Sequence, residues 1–193
     1  MTAFLFDAEV PVATTAAGPP ALRVLGLDLS LTATGVCLTD GTTLTIKTRQ
    51  KDGDRRLVHI ADALTSMIGD GSTVDLAVVE DLPKHAMAAG ITGMVHGVAR
   101  AVLLRAGIPY ALVVPATLKA FATGKGAGDK TPMAIAALKR AGREFADDNQ
   151  CDAWWLRAAG LDWCGQPEFT LPTVQRERLG KVVWPDREAV TAS

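Results

Sequence analysis

Four carboxylates in this chain are placed so that they could act together. Asp28 sits inside the apolar run Val24-Leu25-Gly26-Leu27-Asp28-Leu29-Ser30. Glu80 closes a second run, Leu76-Ala77-Val78-Val79-Glu80. Asp148 and Asp152 stand four apart at the head of an aromatic-rich segment, a spacing that puts both on one face of a helix. A carboxylate on a buried strand is costly to ionise unless a cation or hydrogen bonds compensate. Several carboxylates at one place repel one another, and divalent cations relieve that repulsion. Oxygen-only ligands favour Mg²⁺ or Mn²⁺. Two such ions, about 4 Å apart, suit phosphodiester hydrolysis: they activate a water and stabilise the leaving oxygen. Read singly, each residue has a plainer account. Asp28 is equally an acceptor for the turn at Thr34-Gly35, Glu80 a surface residue at a strand end, and Asp147-Asp148 a helix cap. Helix ends shift by a residue or two, so Asp147 and Asn149 are alternatives to Asp148. The order is more specific than any member: Asp on the first strand, Glu on the fourth, an acidic pair on the last core helix.

Periodicity supplies the elements that must position these residues. Val24 to Ser30 reads as the first strand and Gly35 to Thr39 as the second, with Asp40-Gly41 a hairpin turn signal. Thr43 to Thr48 alternates polar and apolar and reads as a half-exposed third strand, antiparallel in series with the others. From Arg56 to Ile68 the period becomes helical, with Leu57, Ile60, Ala61, Leu64, Met67 and Ile68 on one face. Leu76 to Glu80 is a buried fourth strand, His85 to Ala106 a Gly- and Ala-rich helix, and Tyr110 to Val114 a fifth strand. Pro115 opens a short helix ending at Thr123, Thr131-Pro132 starts another, and Cys151 to Leu161 reads as the final core helix. This order gives an α/β fold: a mixed five-stranded sheet with helices on both faces. Residues 1–21 read as a flexible arm, 22–165 as one domain and 166–193 as a Pro-dotted tail.

Composition excludes several classes. The chain has 193 residues, 48% of them apolar, and a net charge of −1. No apolar run reaches the roughly 20 residues of a membrane span, and the N-terminus lacks the pattern of a secretory signal. A cytoplasmic protein is expected. Cys37, Cys151 and Cys164 form no Cys-x-x-Cys pair, which argues against a disulfide framework and a zinc ribbon. Between Pro115 and Phe145 six cations (Lys119, Lys125, Lys130, Lys139, Arg140, Arg143) face only Asp129 and Glu144. Lysines on a glycine-rich loop can follow a phosphate backbone without reading bases. Lys139 and Arg140 are equally an ordinary solvated helix face. Gly124-Lys125-Gly126 lacks the spacing of a nucleotide-binding P-loop.

Taken together, Gly26-Leu27-Asp28-Leu29-Ser30 with Thr34-Gly35, Val78-Val79-Glu80, Pro115-Ala116-Thr117-Leu118-Lys119, the loop Thr123 to Lys130, and Asp148 with Asp152-Ala153 resemble one family. They are similar to the RuvC-like Holliday junction resolvases of the ribonuclease H-like superfamily, in a divergent form such as phages carry. The match spans about residues 23–160 in order. The resemblance implies a ribonuclease H-like fold and a homodimeric, metal-dependent endonuclease that makes paired nicks in four-way DNA. It implies Asp28, Glu80, Asp148 and Asp152 as metal ligands, with Lys119 and Lys130 on DNA near the scissile phosphate; Lys125 joins them as a lysine of the same glycine-rich loop. It also puts Leu82-Pro83-Lys84-His85 where the family inserts an apolar side chain at the junction centre. It implies the cytoplasm of a bacterial or phage-infected cell. One departure stands out: the family's last two acidic residues are three apart, and the residue three before Asp152 is Asn149. Other readings are a fork, flap or RNA–DNA hybrid nuclease of the same fold, or a non-catalytic branched-DNA binder. A sugar-kinase or actin-like ATPase needs two such domains, and one fits here.

Overall fold

The computed structural model describes residues 21–82, 89–127 and 131–191. The strands are β1 (Val24–Asp28), β2 (Ala33–Cys37), β3 (Thr43–Lys47), β4 (Leu76–Glu80) and β5 (Tyr110–Val113). The helices are α1 (Arg55–Ile68), α2 (Ala89–Arg105), α3 (Pro115–Thr123), α4 (Thr131–Ala141), α5 (Asp148–Trp163), α6 (Thr173–Arg176) and α7 (Arg187–Thr191). The sheet order is β3-β2-β1-β4-β5. β1, β2 and β3 are antiparallel in series, and β4 and β5 run parallel to β1. This is the mixed five-stranded sheet expected.

Strand alternation divides the core into two layers. Leu25 and Leu27 of β1 face Ile60, Leu64 and Ile68 of α1 and Val95, Ala99 and Leu103 of α2. Val24 of β1 and Leu76 and Val78 of β4 face the other way, onto α5. Gly26 and Asp28 share that second face with Val24 by the same alternation. α5 is buried from Cys151 to Asp162, because sheet, α3 and the C-terminal segment enclose it. Its Trp154 and Trp155 anchor an aromatic wedge with Phe121, Phe145 and Phe169. The close approach of α5 needs a strand position without a side chain beneath it. A Cβ on Gly26 would come within 2.0 Å of the Ala153 carbonyl oxygen.

Several boundaries differ from the sequence expectation, each for a local reason. β1 stops at Asp28, not Ser30, because the Thr34 hydroxyl donates to the Ser30 carbonyl at 2.6 Å and closes a turn there. β2 ends at Cys37 because the hairpin turn begins at Leu38, whose carbonyl accepts the Gly41 N–H at 2.9 Å. α5 starts three residues before Cys151, because the Asp147 side chain accepts the Gln150 N–H at 3.0 Å and caps it. The largest correction concerns the segment read as a tail from residue 166. Leu171, Leu179 and Val190 are buried in the α5 layer, and Phe169, Val182 and Trp184 pack against it. Trp163 stacks on Trp184 at 4.7 Å between ring centroids. Buried Asp162 accepts from Arg176 at 2.9 Å, and buried Arg157 donates to Glu168 at 2.7 Å. Low apolar density hid this layer from periodicity. Residues 1–20, the core of the expected N-terminal arm, and His85 lie outside the described residues. No helix among the described residues is long and apolar enough to cross a membrane.

Candidate active site

The sheet register sets Asp28 and Glu80 side by side. β1 and β4 pair in parallel from Val24 opposite Leu76 to Leu27 opposite Val79. The next residues, Asp28 and Glu80, end their strands at the same level and on the same face. Asp28 is 7% exposed; Glu80 is half-buried. Asp28 pairs with Gly35 of β2, and Glu80 with Val113 of β5.

α5 arrives over this end of the sheet from above. The Asn149 backbone lies against Gly35, and Ala153 one turn later lies against Gly26. Asp152, beside Ala153, is buried and 6% exposed. Asp28, Glu80 and Asp152 are therefore carried to one end of the sheet by three separate elements. Asp148 begins α5 one turn before Asp152 and is exposed. It lines a cleft of about 430 Å³ against α4, together with Ile135, Leu138 and Cys151. The position three before Asp152 belongs to Asn149, over the register partner of Asp28. Asp147 has a structural task. Besides capping α5, it accepts from the Thr45 hydroxyl at 2.7 Å. Burial acts to raise its pKa, but the Thr45 and Gln150 hydrogen bonds and the charge of Lys47 outweigh burial and hold it below the usual carboxylate value.

An all-carboxylate donor set suits a hard divalent cation. Among the described residues no three His, Cys, Asp or Glu side chains already form a compact cage that would hold an ion. His96 of α2 is buried. Burial lowers its pKa, against the opposing pull of Asp81.

The basic side of the site begins directly after β5. Pro115 follows Val113 by two residues, so α3 starts beside Glu80. Lys119 and Lys125 line one cleft of about 230 Å³ with Thr123 and Met133. Gly124, at φ 84°, turns the chain between them, and the Thr123 hydroxyl accepts the Lys125 N–H at 3.2 Å. Lys130 lies outside the described residues, as does most of Leu82-Pro83-Lys84-His85. Arg140 and Arg143 hold the fold together: Arg140 donates to Gln175 at 3.1 Å and Arg143 to the Gly41 carbonyl at 2.7 Å. By sequence, Arg178 and Lys181 belong to the mildly basic tail rather than to the site. They line a cavity of about 240 Å³ with Ala116, Gly124 and Gly126 of the α3 region. Their mild basic clustering was visible, but their docking beside α3 was not.

Comparison with known proteins decides the family. The chain is 32% identical over 123 residues to the crossover junction endodeoxyribonuclease RuvC of Salinispora arenicola (strain CNS-205), covering 58% of this chain and 70% of that protein. The chain belongs to the RuvC family. RuvC-family proteins are metal-dependent nucleases. The fold agrees with the RuvC structure from Thermus thermophilus, with a TM-score of 0.63 at 17% identity over 77% of this chain and all of that one. It agrees equally with the T. thermophilus RuvC solved with a Holliday junction substrate, at a TM-score of 0.62 and 18% identity over 77% of this chain and 99% of that one. No protein-family profile matches the chain.

Proposed function

We propose that this protein is a junction-resolving endonuclease that makes paired nicks in four-way DNA, using Asp28, Glu80, Asp152 and Asp148 to hold two Mg²⁺ or Mn²⁺ ions. The observation that carries the reading is the level pairing of Asp28 and Glu80 on adjacent strand ends, on the sheet face that α5 covers, in a RuvC-family chain. Bound divalent metal supplies an activated water and neutralises charge on the scissile phosphate. The protein's own part is positional. The β1–β4 register fixes two carboxylates at strand pitch, and α5, pressed onto Gly26 and Gly35, fixes the third. Asp148 supplies the fourth from the solvent side. Lys119 and Lys125, with Lys130 on the same loop, hold the phosphate backbone beside the acids. Resolution of a four-way junction needs two matched cuts, so the working unit is a homodimer with one site per copy. The protein acts in the cytoplasm, where such DNA is found.

A nicking assay tests this. Four-way, fork, flap and RNA–DNA hybrid substrates are incubated with Mg²⁺ or Mn²⁺ and either wild-type protein or Asp28→Asn. Symmetric cuts confined to four-way junctions, lost in Asp28→Asn, are expected. Cutting that survives Asp28→Asn overturns the site, and cutting confined to forks, flaps or hybrids overturns the substrate.

A further inference from the structure

The sheet end that carries Asp28 and Glu80 has a second basic flank, on the side away from α3. β3 is the edge strand beyond β2, and its last residue, Lys47, pairs with Ala33 at the same end of the sheet where Gly35 pairs with Asp28. Thr43 and Thr45, on the same face of β3 as Lys47, hydrogen-bond to Gln150 and Asp147 at the start of α5. Lys47 therefore lies on the α5 face, as Asp28 does.

From Lys47 the chain turns through a 3₁₀ turn (Gln50–Asp52) into α1. Between residues 47 and 59 it carries Lys47, Arg49, Lys51, Arg55 and Arg56 against Asp52 and Asp54, a local balance of +3 in a chain of net charge −1. Lys47, Arg49, Arg55, Arg56 and His59 wall a cavity of about 550 Å³, with Asp52 as its one acidic member. Asp52 is engaged by Arg49 at 3.2 Å, and Arg56 donates to the Gly53 carbonyl at 2.8 Å. Lys47, Lys51 and Arg55 are exposed. α1 has no acidic residue in its first turn and no side-chain cap from Asp54. Two arginines there oppose the helix dipole, which costs stability unless an anion lies over them.

We propose that this groove binds the sugar–phosphate backbone of a DNA arm on the β3 side of the carboxylates, opposite the arm held by Lys119 and Lys125. The inference rests on the nuclease reading above and extends it. Strands lie about 4.8 Å apart, so β3 is about 10 Å from β1. A DNA strand rising about 3.4 Å per nucleotide crosses that gap in about three nucleotides. A backbone crossing the sheet end thus meets cations, then the acids, then cations again. The open shape and the excess of long, flexible cations suit a run of phosphates, and such contacts hold register without reading sequence.

The test is binding of a fluorescent four-way junction in EDTA, where nothing is cut, across a KCl series. The triple variant Lys47→Gln/Lys51→Gln/Arg55→Gln is compared with wild type and with Arg105→Gln, an exposed cation at the far end of α2. Circular dichroism checks the fold. The triple variant is expected to bind at least tenfold more weakly at 100 mM KCl. Its slope of log K against log [salt] is expected to be shallower by about 0.9 per lost contact. Should the triple variant fail to fold, Lys47→Gln and Arg55→Gln singly are each expected to flatten the slope by about 0.9. Affinity and slope matching Arg105→Gln overturn the proposal. The two readings fail separately. Weakened binding beside cutting that survives Asp28→Asn supports the groove and overturns the metal site; unchanged binding beside cutting lost in Asp28→Asn overturns the groove alone.

Discussion

Gly35 lies directly beneath Asn149: a Cβ on Gly35 would stand 2.1 Å from the Asn149 carbonyl oxygen. Because Gly35 is also the register partner of Asp28, this contact sets the height of α5 over the site. Gly35→Ala forces the first turn of α5 off the sheet. Overpacking of this kind costs about 1–3 kcal/mol, so the melting temperature is expected to fall by at least about 3 °C. Junction cutting should fall further than stability does, since Asp152 moves with the helix. Thermal melts beside cleavage rates at a temperature where the variant is folded check this; an unaltered melt would refute the contact.

The shifted acidic pair makes a second prediction. Asp152→Asn removes a buried carboxylate and is expected to slow cutting at least about 100-fold, a loss on the scale of disrupted metal sites. Asp148→Asn removes an exposed one and is expected to cost less, about tenfold. In the Asp148→Asn background, Asn149→Asp returns a carboxylate to the position over Gly35 and is expected to recover cutting and lower the Mg²⁺ concentration for half-maximal rate. No recovery would show that Asp148 cannot be replaced from the sheet-facing side.

Asp147 belongs to stability. Asp147→Ala removes the α5 cap and the Thr45 partner, and losing such a cap costs about 1 kcal/mol. The pH dependence follows from its lowered pKa. A carboxyl titrating below its ordinary value of 3.8 stabilises the fold fully above that value and loses the contribution as pH falls through the lowered pKa. The stability gap between wild type and Asp147→Ala is expected to be constant near neutrality and to narrow below about pH 4. Urea melts across pH measure it, and a gap that widens in acid would contradict the assignment.

The C-terminal segment is a structural layer, so Leu171→Ala should behave as a core truncation. Leu171 is 6% exposed in the α5 cluster, and such truncations cost about 2–5 kcal/mol. The expected signature is a drop of at least about 4 °C in melting temperature. A change under 1 °C would mean that the segment does not contribute to the core.

Much of the fold was legible in the chain, for a local reason. The runs around Asp28 and Glu80, the Asp40-Gly41 turn and the α1 stripe of Ile60, Leu64 and Ile68 each declare their conformation within a few residues. The segment after residue 165 was not legible. Its apolar residues, from Phe169 to Val190, are too sparse to show a period, and they are buried by distant partners on α5. The partners of Arg140 and Arg143 were hidden in the same way, since their acceptors, Gln175 and Gly41, are far off in sequence.

The sequence by itself determined the order of the acids, the type of each element and the family they resemble, because strand and helix periodicity are short-range properties. Only the tertiary structure decided which acids share a face. Parallel pairing of β1 with β4 set Asp28 level with Glu80, and the two missing side chains at Gly26 and Gly35 let the first turns of α5 lie close on the sheet. It also placed Asp148 toward α4 and Asn149 toward the sheet, and carried Lys47 and Lys119 to opposite flanks of one sheet end. Register, helix height and strand order depend on contacts between residues tens of positions apart, which no local pattern encodes.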